Sequence, residues 1–162
     1  MKTTRVNKKV KADVYGDADK LISKALRCLE SRMRYATNET LSASRDVCNY
    51  LRLQLAGEKN EVFSVLFLDN RHRLLAFEKM FYGTINEAMV YPRTIIQKAL
   101  EHNAAAVIAS HNHPSGNAMP SQADKNITKE LQTILQVLDI TLLDHIVIAH
   151  QDAYSFAEHG LL

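Results

Sequence analysis

An unbroken apolar run, AAAVIAS from Ala104 to Ser110, leads directly into His111-Asn112-His113, and Pro114 and Gly116 then end it. An apolar stretch of this length without alternation reads as a strand covered on both faces. Such a strand needs helices on either side of its sheet, so this one segment already implies a layered α/β domain. The two histidines stand two residues apart at its end. Strand side chains alternate between faces, so both imidazoles point the same way.

The rest of the chain fits around that strand. Residues 1–16 are polar and basic and read as a loosely ordered tail. Asp17 or Asp19 is placed to cap a helix through Leu21, Ile22, Ala25, Leu26 and Leu29. Ser42, Ser44 or Asp46 opens a second helix burying Val47, Leu51 and Leu53, which Gly57 ends. VFSVLFLD (Val62 to Asp69) and LLAFEKMFYG (Leu74 to Gly83) read as two strands joined by a hairpin over Asn70-Arg71-His72-Arg73. Pro92 suits the first turn of a helix carrying Ile95, Ile96, Ala99 and Leu100. Pro120-Ser121 starts another, with Ile127, Leu131, Ile134 and Leu135 inward, and ITLLDHIVIA (Ile140 to Ala149) is a fourth strand. The expected order is two helices, then β-β-α-β-α-β: a single domain with a mixed β-sheet flanked by helices, spanning 42–162 behind a short helical N-terminal extension of 1–41.

Composition narrows the function classes. The 162 residues suit one domain, and 46% hydrophobic content is enough for a real core. The net charge is only +2, and its basic excess lies in Lys2, Arg5, Lys8, Lys9 and Lys11. That run reads as a solvated tail, with nucleic-acid contact as the other use of such a cluster. Cys28 and Cys48 form no C-x-x-C pair, which argues against a thiolate metal site and a disulfide framework. No signal-peptide pattern is present, and no apolar run approaches the ~20 residues needed to span a bilayer. A reducing cytoplasm is the expected setting, with no membrane association.

The chemistry concentrates after the central strand. Asp124 follows at the start of a helix, where chain reversal can return its carboxylate to His111 and His113. Two imidazoles and a carboxylate make a three-ligand zinc site with a fourth position open for water, the arrangement of a catalytic rather than a structural site. Each part has an ordinary explanation alone. A His-x-His can be two solvated side chains, and Ser121-Gln122-Ala123-Asp124 is also a capping box. A hydrolase further needs a base, and Glu78 is the candidate, grouped by alternation with Leu74, Ala76 and Met80. A structural salt bridge, for instance to Arg93, is the competing use of that carboxylate. His145, beside Asp144 in a strand pattern, reads as structural.

Taken together, Glu78, His111-Asn112-His113, Ser121 and Asp124 follow the Glu-x(n)-His-x-His-x(7)-Ser-x-x-Asp motif. In this the chain resembles the JAMM (MPN-domain) metalloproteases. The stretches EKMFYGT, YPRTIIQKALEHNAAAVIASHNHPSG and LLDHIVIA resemble the RadC-like branch, in its short stand-alone form. The resemblance implies an MPN-like fold and one Zn2+ per chain on His111, His113 and Asp124. It implies Glu78 as general acid/base and Ser121 as a donor to the oxyanion. The implied reaction is hydrolysis of an amide or isopeptide bond in a protein or peptide by zinc-activated water. The alternative is a non-catalytic, metal-containing interaction module associated with DNA repair or mobile-element functions. Two other metal chemistries fit poorly. In HNH nucleases the named residues are scattered over a ββα unit, whereas here they are contiguous. A zinc deaminase would need a later P-C-x-x-C.

Overall fold

The computed structural model describes residues 3–35, 40–55, 57–83, 89–150 and 152–162, with side chains described from residue 16 onward except for 40–44. Lys2, Arg5, Lys8, Lys9, Lys11, Ser42, Ser44 and Thr84 of EKMFYGT, singled out above, lie outside the described residues or side chains. The elements run α1 (Thr3–Tyr35), α2 (Thr40–Leu55), β1 (Val62–Leu68), β2 (Leu74–Tyr82), α3 (Pro92–Glu101), β3 (Ala106–Asn112), α4 (Gln122–Val137), β4 (Thr141–Ile148) and β5 (Ala153–Ser155).

The expected mixed sheet flanked by helices is what forms. Its strand order is β2-β1-β3-β4-β5. Only β3 and β4 run parallel, joined by α4, and the other pairs are antiparallel. Alternation sorts β1 and β3 between two cores. Val62, Leu66, Leu68, Ala106 and Ile108 pack with Met33 of α1 and with Val47, Tyr50, Leu51 and Leu55 of α2. Phe63, Val65, Phe67, Val107 and Ala109 pack with Ile95 and Ala99 of α3 and Leu131 and Leu135 of α4. His111 continues the second set, so it faces the layer that contains α4.

Several local expectations need correction. Residues 3–16 continue α1 as helix. The stretch holds no proline, and Gly16 costs a helix only about 1 kcal/mol. Leu100 is 60% exposed, because α3 buries only Ile95 and Ala99 toward the sheet. Leu53 is only half-buried, while Tyr50 and Leu55 carry the inner face of α2. The three-residue β5 is an added fifth strand, too short for a periodic signal. In β2, register irregularities opposite Phe63/Ser64 and Phe67/Leu68 break strict alternation. Leu74 consequently joins the α1/α2 core, while Ala76 and Met80 join the α3/α4 core.

The hairpin falls where expected. Asp69 Oδ1 accepts from the Arg71 and Arg73 backbone N–H groups, and His72 takes a positive φ of 58°.

Candidate metal centre

The centre lies where β3 ends and α4 begins, the end of a parallel strand at which α/β sheets commonly hold ligands. The chain turns sharply after His113: Gly116 N–H donates to His113 O at 3.1 Å, with Gly116 at φ 82°. That conformation suits glycine. It lets the chain double back so that α4 starts beside the strand end it has just left.

Ser121 caps α4. Its Oγ accepts from Asp124 N–H at 3.1 Å, while its own N–H and hydroxyl donate to Asp124 Oδ2 at 2.7 and 2.6 Å. Asp124 is thus oriented by its own helix cap, and its Oδ1 is left to face His111 Nε2 at 3.2 Å. Oδ2 lies 3.5 Å from His113 Nε2, and the two imidazole Nε2 atoms stand 3.0 Å apart. Capping and convergence on the histidines coexist in the same residues.

These spacings fit one small cation. Ligand atoms about 2.0–2.1 Å from a tetrahedral ion lie roughly 3.3 Å from one another; the imidazoles are 3.0 Å apart, and each lies near one of the two Asp124 oxygens, at 3.2 and 3.5 Å, with one ligand atom from each residue within 4.8 Å of the others. His111, His113 and Asp124 form the one such three-ligand group among the described residues. The donor set also calls for a positive charge between its members. His113 Nδ1–H donates to Asn117 O at 2.7 Å, leaving the Nε2 lone pair turned inward. Asp124 hydrogen-bonding pushes the His113 pKa up, against the effect of burial. Burial alone would raise the Asp124 pKa, but both imidazoles and Ser121 outweigh it and hold the carboxyl well below the usual range.

Glu78 stands apart from this group. It lies on the α3 side with Ala76 and Met80 but without Leu74, and it has polar partners, though not Arg93. His102 Nε2 is 2.6 Å from Oε1, and Lys98 Nζ is 3.8 Å from Oε2. The register sets Glu78 opposite Val65, and Val65 opposite Ala109. At about 4.8 Å between strands and about 3.3 Å per residue, Glu78 is on the order of 11 Å from His111.

The carboxylate that does approach is Glu61, which the sequence reading missed. Phe63 pairs antiparallel with His111, so the same register continued puts Glu61 opposite His113 and on its face. Asn112 holds the backbone there: its Oδ1 accepts from Val62 N–H at 2.8 Å and its Nδ2 donates to Asn60 O at 3.0 Å. Gly83 N–H donates to Glu61 O at 2.8 Å. Glu61 is half-exposed, and its charge helps raise the His113 pKa. A carboxylate two residues before Phe63, on the same face, was the available signal, but only the β1–β3 pairing gives it meaning.

The fold and site define an α/β domain with a His-x-His and aspartate constellation able to hold a divalent metal. The family model for the RadC-like JAB domain matches residues 41–161, and the chain belongs to that family. It is 48% identical over 143 residues to the UPF0758 protein of Vibrio cholerae, covering 88% of this chain and 89% of the relative. It is 46% identical to the UPF0758 protein YkfG of Escherichia coli, over 88% and 90% of the two chains. Against UPF0758 protein Mpe_A2695 of Methylibium petroleiphilum it is 51% identical over 85% of its length, and it spans 61% of that longer protein. Among the described residues, no helix is long and apolar enough to cross a membrane.

Proposed function

We propose that this domain is a zinc-dependent hydrolase that cleaves an amide or isopeptide bond in a protein or peptide. The observation that carries the reading is the convergence of His111 Nε2, His113 Nε2 and the Asp124 carboxylate, the imidazoles 3.0 Å apart and lying 3.2 and 3.5 Å from Oδ1 and Oδ2 respectively. When bound by them, zinc supplies Lewis-acid activation of water and polarises the carbonyl to be attacked.

The remaining work falls to the chain's own groups. Glu61 is the base in this reading, in place of Glu78. It stands just before β1, is partly exposed, and has its carbonyl held by Gly83 N–H while Asn112 grips the residues on either side of it. A carboxylate so placed can take a proton from the attacking water and return it to the leaving amine. Glu78 is already engaged by His102 and Lys98. Ser121 turns its hydroxyl from Asp124 Oδ2 toward the developing oxyanion, while its N–H keeps the carboxylate in place.

The test is zinc content measured together with hydrolysis of peptide and isopeptide libraries. Zinc at one equivalent with turnover, and Glu61→Gln retaining zinc while losing at least about 100-fold in rate, is the expected result. Protein that takes up zinc and hydrolyses nothing across the libraries would favour the interaction-module alternative. Full activity in Glu61→Gln would move the base elsewhere.

A further inference from the structure

His145 is fully buried on β4 directly behind His111. Its neighbours are largely aromatic. Phe156 stacks on it at 4.8 Å between ring centroids, Phe63 meets it edge-on at 5.5 Å, and the His111 ring lies at 4.9 Å. An imidazole fully enclosed among aromatic rings is held in its neutral form, because burying its charge without a partner is costly. A neutral imidazole offers one donor and one acceptor. Both are used: Nε2 lies 2.9 Å from His111 Nδ1, and Nδ1 lies 2.6 Å from Thr128 Oγ1.

The direction of these bonds follows from the far end. Thr128 Oγ1 also lies 2.5 Å from the backbone carbonyl of Asp124, which can only accept. The single hydroxyl hydrogen of Thr128 therefore goes to Asp124 O, and Oγ1 must accept from His145 Nδ1–H. That leaves His145 Nε2 bare, so it accepts from His111 Nδ1–H. His111 Nε2 is then bare in turn, aimed at His113 Nε2 and Asp124 Oδ1.

We propose that His145 is a positioning residue for the metal centre, one that holds the His111 ring in its metal-ready tautomer and, through Thr128, ties that ring to the helical turn carrying Asp124. The inference rests on the metal reading above and adds a buried link between two of the three ligands. It gives Thr128, Asp124 and His111 a shared reason to keep their spacing when no cation holds them together. Groups that orient a ligating histidine from behind are typically worth about 10–100-fold in metal affinity.

The experiment uses the full chain, with zinc affinity measured by chelator competition and ligand geometry by the visible spectrum of the Co2+-substituted protein. His145→Leu removes both bonds, Thr128→Val removes the hydroxyl with little change of shape, and His145→Gln keeps an acceptor for His111 Nδ1–H. The expected result is a loss of about 10–100-fold in zinc affinity for His145→Leu, a smaller loss for Thr128→Val, and partial recovery in His145→Gln. An altered Co2+ spectrum should accompany the loss. Nitrogen NMR of the metal-free parent should show His111 protonated at Nδ1. If His145→Leu does not fold, Thr128→Val and the NMR tautomer still decide the matter. Zinc affinity and Co2+ spectra unchanged in the folded variants, with a parent that binds zinc, would overturn this inference alone. A parent that binds neither metal would overturn the metal reading as well.

Discussion

Asn112 Oδ1 accepts the backbone N–H of Val62 at 2.8 Å, so the residue between the two site histidines secures the neighbouring strand just past Glu61. Its Nδ2 reaches Asn60 O at 3.0 Å, and the side chain is almost fully buried. Asn112→Ala strands one buried donor and loosens one acceptor. We expect a stability loss of about 2–4 kcal/mol from those two groups. Urea denaturation of parent and variant measures it, and a loss below about 1 kcal/mol would mean that water replaces the amide readily.

Asp124→Ala should abolish stoichiometric zinc binding while leaving the sheet folded. The residue contributes a charge to the centre and half of a capping box to α4. Loss of the cap interaction is expected to cost about 1 kcal/mol, too little to unfold a domain of this size. Elemental analysis with far-UV circular dichroism checks both halves. Unchanged zinc content would remove Asp124 from the ligand set.

Glu78→Gln should retain zinc and turnover. Its carboxylate pairs with His102 and Lys98 at a part-exposed surface, where an ion pair is typically worth about 0–1 kcal/mol. The comparison with Glu61→Gln is internal to one assay. A Glu78→Gln enzyme that binds zinc but has lost its rate would restore the base to β2.

Asp144 gives a pH signature separate from the metal. Burial raises its pKa above the ordinary carboxylate value, and hydrogen bonds from Ser155 Oγ, Ala157 N–H and His145 N–H only partly counter this. A carboxyl with a raised folded-state pKa weakens the fold above that pKa, and the penalty fades as pH falls toward the unfolded value of about 4. Asp144→Asn carries no such titration. Its stability relative to the parent should therefore be more favourable at pH 7 than at pH 4. Denaturation at the two pH values tests this, and a difference that does not change with pH would contradict it.

Much of the centre was legible because its signals are local. A covered strand ending in His111 and His113, a turn at Pro114 and Gly116, and a cap at Ser121 with Asp124 three residues on are all contained in one short segment. Helix capping and strand alternation act over a few residues, so they can be read without knowing what packs against what. Glu78 shows where that reasoning stops. The cost of burying a carboxylate implied a polar partner, with Arg93 as the example, but the partners are Lys98 and His102, which only the packing of α3 on the sheet selects.

What the sequence alone determined, then, is the layered α/β plan and the three groups that can close on a cation. The tertiary structure decided which carboxylate stands beside them and what lies behind them. The β1–β3 register, continued past Phe63 and His111, directs Glu61 toward His113, and His145 meets His111 because β4 lies parallel on the other side of β3. The physical reason is that strand pairing brings together residues far apart in the chain. A shift of one residue would turn Glu61 to the opposite face, and nothing in the local pattern around it records which register the packed cores select.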